Sequence, residues 1–333
     1  MTKKLINEPH DVIEDMLAGI VAAHPGHVRL LPDSPRSLVS IAAPRPGKVG
    51  IVVGGGSGHE PAFLGYVGRG IADAAAVGNP FASPGPEPIV EATKAVHGGA
   101  GVLYLYGNYA GDVMNFDMAA ELCAFEDIAV RTVLVTDDVA SAPREEADRR
   151  RGVAGGFFVF KAAGAAADLG RDLDGVEAAA RHANALVRTM GVALEPCSLP
   201  ATRTPNFNLG PDEIELGIGI HGEPGVEKGP MRAADAVADE ILDRVMAELH
   251  TPPGSRVAVL VNGMGATPLM ELYVIARRVL HRLADRRIGV HRTFVGNFVT
   301  ALEMAGCSIS LLVLDDELTT LLDHPADCVM FRT

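Results

Sequence analysis

The chain has 333 residues, of which 48% are hydrophobic and 21% are charged, and its formal net charge at pH 7 is −13. This length is enough for two domains with sizeable cores, and the composition is that of a globular protein. Because an acidic chain repels phosphates and anionic headgroups, we expect neither a nucleic acid nor a membrane surface as a partner.

The first half of the chain alternates helices with short apolar strands. Hydrophobic periodicity predicts helices at 11–23, 87–96, 113–125, 152–169 and 174–190, and strands at 48–53, 101–106 and 130–135. An order in which strands and helices alternate favours a largely parallel sheet with helices on its faces.

The second half begins after a turn-rich passage between Pro196 and Pro211. Its predicted strands lie at 213–219, 256–261, 288–295, 307–314 and 328–331. Its predicted helices lie at 231–249 and 268–284, and a short helix is expected between the last two strands. We therefore predict two α/β domains, each a mostly parallel or mixed sheet flanked by helices. The expected boundary lies near 185–200, which gives an N-terminal domain over 1–190 and a C-terminal domain over 191–333.

Cysteine usage and the start of the chain bear on its location. The four cysteines are far apart, form no C-x-x-C pair and lie near apolar runs, which predicts buried free thiols in a reducing compartment. The first residues lack the apolar core of a signal peptide, and no run of about 18 apolar residues could cross a bilayer. We expect a cytoplasmic protein.

A glycine-rich segment, GGGSGHEP at 54–61, follows the predicted strand at 48–53. Loops at the carboxyl ends of parallel strands form the ligand crevice of open α/β sheets, and their N–H groups can hold hydroxyl or phosphate oxygens. The segment does not match a Walker loop, a nucleophile elbow or a zinc helix. A tight turn explains some of the glycines but not Ser57 and His59, so a ligand-binding loop is favoured.

A second loop of this kind, GNYAGD at 107–112, follows the strand at 101–106. Asp112 stands directly before an apolar periodic run, and a helix N-cap by itself explains an aspartate there. A ligand-binding role is the alternative, because this is another strand end with a polar side chain beside glycine. Asp137 and Asp138 could bind Mg²⁺ but are better explained as a polar loop.

His221 lies in a glycine-rich stretch, GIGIHGEPG at 217–225, after an alternating apolar run. The letters match a dinucleotide fingerprint, but that motif requires a helix to open within it, and turn residues follow here instead. A histidine presented among glycines can act as a base, a metal ligand or a nucleophile. The structural alternative is a loop histidine that is hydrogen-bonded to the backbone.

The motifs together resemble the dihydroxyacetone kinase family, specifically its substrate-binding K subunit (a DhaK-like ketose kinase). The matching stretches are GGGSGHEP at 54–61, NYAGDVMNF at 108–116, RRGVAGG at 150–156, GIHGEPG at 219–225 and NGMGATP at 262–268. The resemblance covers essentially the whole chain. It implies a two-domain α/β subunit that forms homodimers and binds short ketoses such as dihydroxyacetone or erythrulose.

The resemblance also implies roles for individual residues. His221 would attack the ketose carbonyl through Nε2 to form a hemiaminal. Gly56, Ser57, Gly58 and His59 would hold the substrate hydroxyls, while His59 and Asp112 would serve hydrogen-bonding and acid–base roles at the transferred hydroxyl. No metal ligand is expected in this chain.

The phosphoryl donor is expected on another protein. The sequence contains no convincing nucleotide site, and in the family a separate L domain or subunit holds the nucleotide and its Mg²⁺. We therefore expect no cofactor in this chain and a partner L subunit that carries ATP, or ADP recharged by a phosphoenolpyruvate relay. The sequence leaves both donors possible.

One position departs from the family pattern. The family usually has a lysine where this chain has Gly107, and a glycine there removes a cation and opens volume. A catalytic subunit that accepts a larger ketose is favoured, and a non-catalytic ketose-binding regulator is the alternative. A nucleotide-dependent oxidoreductase would rest on the stretch at Gly217 alone.

Overall fold

The computed structural model describes residues 2–333. The strands are β1 Val28–Leu31, β2 Ser34–Ser40, β3 Gly50–Ser57, β4 Gly68–Arg69, β5 Ala74–Pro80, β6 Val102–Gly107, β7 Val130–Val135, β8 Val187–Glu195, β9 Glu213–Leu216, β10 Glu227–Pro230, β11 Arg256–Gly263, β12 Gly289–Gly296, β13 Ala305–Leu314 and β14 Asp327–Cys328. The helices are α1 Val12–Ala23, α2 Pro86–Val96, α3 Ala110–Ala124, α4 Gly156–Asp168, α5 Leu173–Leu186, α6 Ala234–Ala247, α7 Leu269–Asp285 and α8 Asp316–Asp323.

The chain forms two compact units, each built on one six-stranded sheet. The first-sheet unit comprises Lys4–Val135, Phe158–Ala183 and Leu318–Thr333. The second-sheet unit comprises Thr136–Phe157 and Asn184–Glu317, together with Thr2 and Lys3. Two mixed sheets flanked by helices confirm the predicted fold class.

The first sheet has the strand order β1-β2-β5-β3-β6-β7. Strands β5, β3, β6 and β7 are parallel, and β2 and β1 add an antiparallel edge. Alternate side chains such as Val52 and Tyr104 pack with α2 and α3 in one core, while their neighbours Ile51 and Leu103 are equally buried. Burial on both faces explains the continuous apolar runs of these strands.

The second sheet has the strand order β10-β9-β8-β13-β11-β12, and only the β11–β12 pair is parallel. Apolar residues at helical spacing on α6 and α7 pack with β8, β11 and β13 in a second core. On their outer sides the two helices share ion pairs; the Asp239 carboxylate contacts both Arg278 and Arg282. These pairs are partly exposed, so burial of the apolar stripe contributes far more to this packing.

Most predicted elements are present, but several boundaries differ from the predicted ones by a few residues. The helix predicted at 174–190 ends at Leu186, and residues 187–190 belong to β8. Val187, Thr189 and their neighbours pair with β13, whose residues lie more than 100 positions away in the chain. Such pairing overrides local helical periodicity. The other strands that were missed are β1, β2, β4, β5 and β10.

The predicted continuous domains, 1–190 and 191–333, stay a prediction, and the compact units differ from them. Residue 190 lies inside β8, in the second-sheet unit. The segment Thr136–Phe157 also belongs to that unit, because Asp138 and Val139 bond to Arg151 and Thr189. The carboxyl-terminal residues from Leu318 onwards belong to the first-sheet unit, where β14 pairs with β4.

The four cysteines are buried and free, as predicted. Burial raises the pKa of Cys307 to about 12, so its thiol is unreactive at neutral pH. Across residues 2–333 none of the helices combines the length and the apolar character that a membrane span requires.

Candidate functional site

The glycines of the first loop are required by close packing around β3. A Cβ on Gly54 would lie 2.7 Å from the Ala76 carbonyl oxygen, and one on Gly56 would lie 2.6 Å from the Ala82 nitrogen. A Cβ on Gly55 would overlap the Phe63 ring. Packing therefore explains Gly54, Gly55 and Gly56 without any ligand, as the tight-turn alternative required.

We expect Gly56→Ala to destabilise the protein by about 1–3 kcal/mol, the usual cost of overpacking, because backbone rather than a flexible side chain surrounds the new methyl group. Gly19→Ala is the matched control. Gly19 lies in α1, and a Cβ added there would have no atom within 4 Å. Because alanine has the higher helix propensity, this change should raise the free energy of unfolding by at most about 1 kcal/mol. Chemical denaturation measures both, and equal effects would contradict the packing explanation.

Ser57, Gly58 and Glu60 form contacts within the loop and to the neighbouring strand. The Ser57 hydroxyl donates to the Gly78 carbonyl oxygen at 2.8 Å. The Gly58 N–H donates to the Glu60 carboxylate at 3.0 Å, and burial raises the pKa of Glu60 although this hydrogen bond lowers it. The loop was expected to offer successive open N–H groups. That expectation is wrong for Gly58, because Glu60 folds back onto its N–H.

His59 is buried, with 1% of its surface exposed. Its ring stacks on Phe81, with 5.0 Å between the ring centroids and 14° between the planes. Phe81 has φ +59°, a left-handed conformation that is strained for a non-glycine residue and tends to occur at functional sites. Phe81 was missed from the sequence, since nothing local marks a residue after β5 as the support of His59.

Gly107 and Asp112 lie at the same edge of the first sheet as this loop. Gly107 is the last residue of β6, which runs parallel to β3. Asp112 is buried in the first turn of α3, and a Cβ on Gly111 would lie 3.4 Å from the Cβ of Ser83, in the loop that also carries Phe81. The carboxyl edge of the parallel strands therefore unites the predicted residues of the first-sheet unit, as the topology requires.

The N-cap alternative for Asp112 is wrong. Helix α3 begins at Ala110 with Tyr109 as its N-cap, so Asp112 is the third helical residue. A carboxylate in the first turn still interacts favourably with the helix dipole. Burial, with the charges of Asp117 and Asp112 nearby, raises the pKa of Tyr106, so that side chain stays neutral.

His221 lies in the second-sheet unit, in the turn that follows β9. The turn continues into β10 rather than a helix, and α6 begins only at Ala234; this absence of a helix within the motif agrees with the rejection of a dinucleotide fingerprint. The His221 side chain is 21% exposed. Its carbonyl oxygen accepts a hydrogen bond from Asn206 at 2.9 Å.

Glu223 holds His221 at two points. Its Oε1 lies 2.8 Å from Nδ1 of the His221 ring, and its Oε2 accepts the His221 backbone N–H at 3.0 Å. Burial would raise the pKa of Glu223, but the hydrogen bond and charge of His221 outweigh it and lower the pKa to about 2. Glu223 is therefore ionised at neutral pH. Its part in the site was missed, although the His-x-Glu spacing was visible.

Asp137 and Asp138 are buried structural carboxylates rather than a polar loop. Asp137 accepts the backbone N–H groups of Val153 and Gly155, each at 2.8 Å. Asp138 pairs with Arg151 at 2.8 Å, and burial raises its pKa to about 6 although Arg151 lowers it. Within the described part of the chain, no group of three or more His, Cys, Asp or Glu side chains is arranged to hold a metal ion.

Fold and loops together define the class: an α/β protein of two units, in which glycine loops carry two histidines and a buried aspartate. The model of the Dak1 domain matches residues 18–330. The chain therefore belongs to the dihydroxyacetone kinase family, as the motifs predicted.

Individual relatives support this assignment. The chain is 49% identical over 330 residues to the dihydroxyacetone-binding subunit DhaK of PTS-dependent dihydroxyacetone kinase 2 from Listeria innocua, with 99% of each chain covered. It is 45% identical to D-erythrulose kinase of Mycolicibacterium smegmatis, covering 99% of this chain and 56% of that protein. These homologues are kinases, which confirms the predicted enzyme class.

A solved structure shows the same fold. The dihydroxyacetone kinase operon co-activator Dha-DhaQ superimposes with a TM-score of 0.86 at 33% identity, covering 94% of this chain and 96% of that one. The family thus includes a protein described as a co-activator beside its kinases.

Proposed function

We propose that this chain is the substrate-binding subunit of a short-chain ketose kinase, and that it captures the ketose covalently on His221. The observation that carries the proposal is the two-point hold of Glu223 on His221 in a glycine-lined turn. The contact to Nδ1 fixes the orientation of the ring, which a nucleophile needs for attack. Relatives named for dihydroxyacetone and for D-erythrulose indicate the substrate class.

The proposed capture is an addition to the carbonyl group. Nε2 of His221 attacks the carbonyl carbon, the C=O π bond breaks, and the oxygen takes up a proton to become a hydroxyl. Glycerol offers similar hydroxyls but no carbonyl, so covalent capture would exclude it. Gly56, Ser57, Gly58 and His59 are proposed to hold the remaining hydroxyls.

His59 and Asp112 are proposed to act at the hydroxyl that receives the phosphoryl group. A carboxylate there can take the hydroxyl proton as phosphorus is attacked. The buried position of Asp112 and the stacked ring of His59 limit their motion, which favours fixed geometry at the reacting group. Phosphoryl transfer otherwise depends on positioning and charge neutralisation.

The donor is proposed to be a nucleotide with Mg²⁺ on a partner L subunit, and the binding subunit is proposed to form a homodimer. A relative of matching length is a PTS-dependent binding subunit. This favours ADP recharged through a phosphotransferase relay over free ATP. The test mixes the purified chain, an L subunit and dihydroxyacetone with one donor at a time. The donor that gives phosphorylated dihydroxyacetone is the one that the enzyme uses.

Carbon-13 NMR tests covalent capture directly. Dihydroxyacetone labelled at the carbonyl carbon should lose its ketone signal and gain a tetrahedral one when the protein is in excess, and intact-protein mass spectrometry should show one added ketose. Glycerol should give no added mass. A ketone signal that persists at saturating protein would refute the proposal.

A non-catalytic ketose-binding regulator is the second candidate. One observation that favours it is the similarity to a co-activator. The other is the glycine at position 107, where the family resemblance leads us to expect a lysine. Both candidates predict ketose capture, and only the kinase subunit predicts a phosphorylated product. The reconstitution with an L subunit therefore separates them.

We expect Gly107→Lys to narrow the substrate range. Gly107 is buried at the end of β6, so a long side chain there occupies volume beside the candidate site. The ratio of kcat/KM for dihydroxyacetone to that for erythrulose should rise by about 10-fold or more. Enzymes discriminate on this scale between substrates that differ by one small group. Competition between the two ketoses measures it, and an unchanged ratio would show that Gly107 does not set substrate length.

A further inference from the structure

We infer that Glu223 is the positioning residue of His221, and that Arg151 and Asp138 hold Glu223 in place. The inference rests on the proposed function, because it concerns the atom of His221 that would attack the ketose. It assigns a purpose to three side chains outside the predicted site residues. All of them belong to the second-sheet unit.

Glu223 determines which ring nitrogen carries the proton. A carboxylate only accepts hydrogen bonds, so the Nδ1 atom that lies 2.8 Å from its Oε1 must be the protonated nitrogen. The neutral ring then has its lone pair on Nε2, which is the atom needed for attack. The second contact, from the His221 backbone N–H to Oε2, holds the backbone of the nucleophile to the same carboxylate.

Glu223 also suits the charge that develops on the ring. Attack by neutral Nε2 forms the N–C bond and breaks the C=O π bond, which leaves positive charge on the imidazole. The carbonyl oxygen takes a proton from water and becomes a hydroxyl, and hydroxide is released to the solvent. The Nδ1–H remains hydrogen-bonded to an ionised carboxylate, so the two opposite charges stabilise each other. A partly buried carboxylate that orients a histidine and stabilises its imidazolium is the arrangement of hydrolytic triads.

Arg151 faces the Glu223 carboxylate, and Asp138 holds Arg151 in place. The Arg151 guanidinium donates to Asp138 Oδ2 at 2.9 Å and to the Gly217 carbonyl oxygen at 3.0 Å, and its Nη1 lies 4.0 Å from Glu223 Oε2. Asp138 is 2% exposed, and its other oxygen accepts the Ala140 N–H. A buried anion thus fixes the cation that faces Glu223.

Gly219 provides the space for this arrangement. A Cβ at Gly219 would overlap Oε2 of Glu223 and lie 2.6 Å from Nη1 of Arg151. A side chain there would push the carboxylate away from both His221 and Arg151. The second glycine of the stretch is therefore explained by the carboxylate and its cation, without a nucleotide.

The test uses the full-length chain with nitrogen-15-labelled histidine. Long-range nitrogen–proton spectra report the tautomer of each ring, and loss of one set of signals in His221→Ala assigns His221. Wild type should show the Nδ1–H tautomer. In Glu223→Gln, whose amide can also donate, that tautomer should lose its dominance. Ketose capture should slow by about 10- to 100-fold, the scale known for losing the hydrogen-bond partner of a metal-bound histidine.

Three further variants complete the design. Glu223→Asp, which keeps the charge, should retain more of the Nδ1–H tautomer and capture rate than Glu223→Gln, and Arg151→Lys should fall between wild type and Glu223→Gln. Glu227→Gln, at an exposed position in β10, should change neither measurement. Thermal unfolding confirms that each variant is folded.

The outcomes separate the inference from the proposed function. If the wild-type protein does not capture the ketose, the proposed function is overturned, whichever tautomer His221 has. Capture by wild type with an unprotonated Nδ1, or with equal rates in wild type and Glu223→Gln, would overturn the role of Glu223 alone.

Discussion

Replacing His221 by alanine is expected to abolish ketose capture and to lower kcat/KM for ketose phosphorylation by about 1000-fold or more, the scale seen when a covalent nucleophile is removed. The reason is that no other group would form the bond to the carbonyl carbon. His221 is partly exposed in a turn, so its removal leaves no large cavity and stability should change little. Carbon-13 NMR of labelled dihydroxyacetone and a product assay with an added L subunit measure the two effects.

His281→Ala is the matched control for this variant. His281 is an exposed residue of α7 in the same unit, so the same substitution there should leave capture and phosphorylation unchanged. If His221→Ala still captures the labelled ketose, the nucleophile is another residue and the assignment is wrong. If capture is lost but phosphorylation persists, the covalent bond is not required for transfer.

Replacing Asp112 by asparagine is expected to separate chemistry from binding. The amide has the shape of the carboxylate but cannot take the hydroxyl proton, so kcat should fall by about 100- to 10,000-fold, the range for loss of a general base. Capture on His221 should persist, because it uses a different atom of the ketose. KM should therefore change much less than kcat.

Asp117→Asn makes the same chemical change on the same helix at an exposed position. It should leave kcat within about twofold of wild type, since exposed substitutions away from the site have small effects. A fall in kcat that is equal for Asp112→Asn and Asp117→Asn would point to the net charge of α3 rather than to proton transfer. Unchanged kcat in Asp112→Asn would remove Asp112 from the reaction.

The glycine loops show how far a motif can be interpreted before the fold is known. Their position after apolar strands indicated a ligand edge, and the structure does place 54–60 and 107–112 at one edge of the first sheet. The sequence did not show why glycines are required at these positions. Gly56 approaches the backbone at Ala82, a contact between β3 and the loop after β5 that no local pattern encodes. The N–H of Gly58 bonds to Glu60 within the loop.

Local pattern by itself determined the α/β class, most of the helices and the glycine loops that carry His59, Asp112 and His221, and the family resemblance suggested the roles of these residues. Hydrophobic periodicity and turn chemistry act over a few residues, so they can be recognised in the chain alone. Only the tertiary structure decided that β8 replaces the end of a predicted helix, and that Asp138 and Arg151 support Glu223 beside His221. Those contacts join residues far apart in the chain, and their free energy depends on burial and geometry that exist only once the chain has folded.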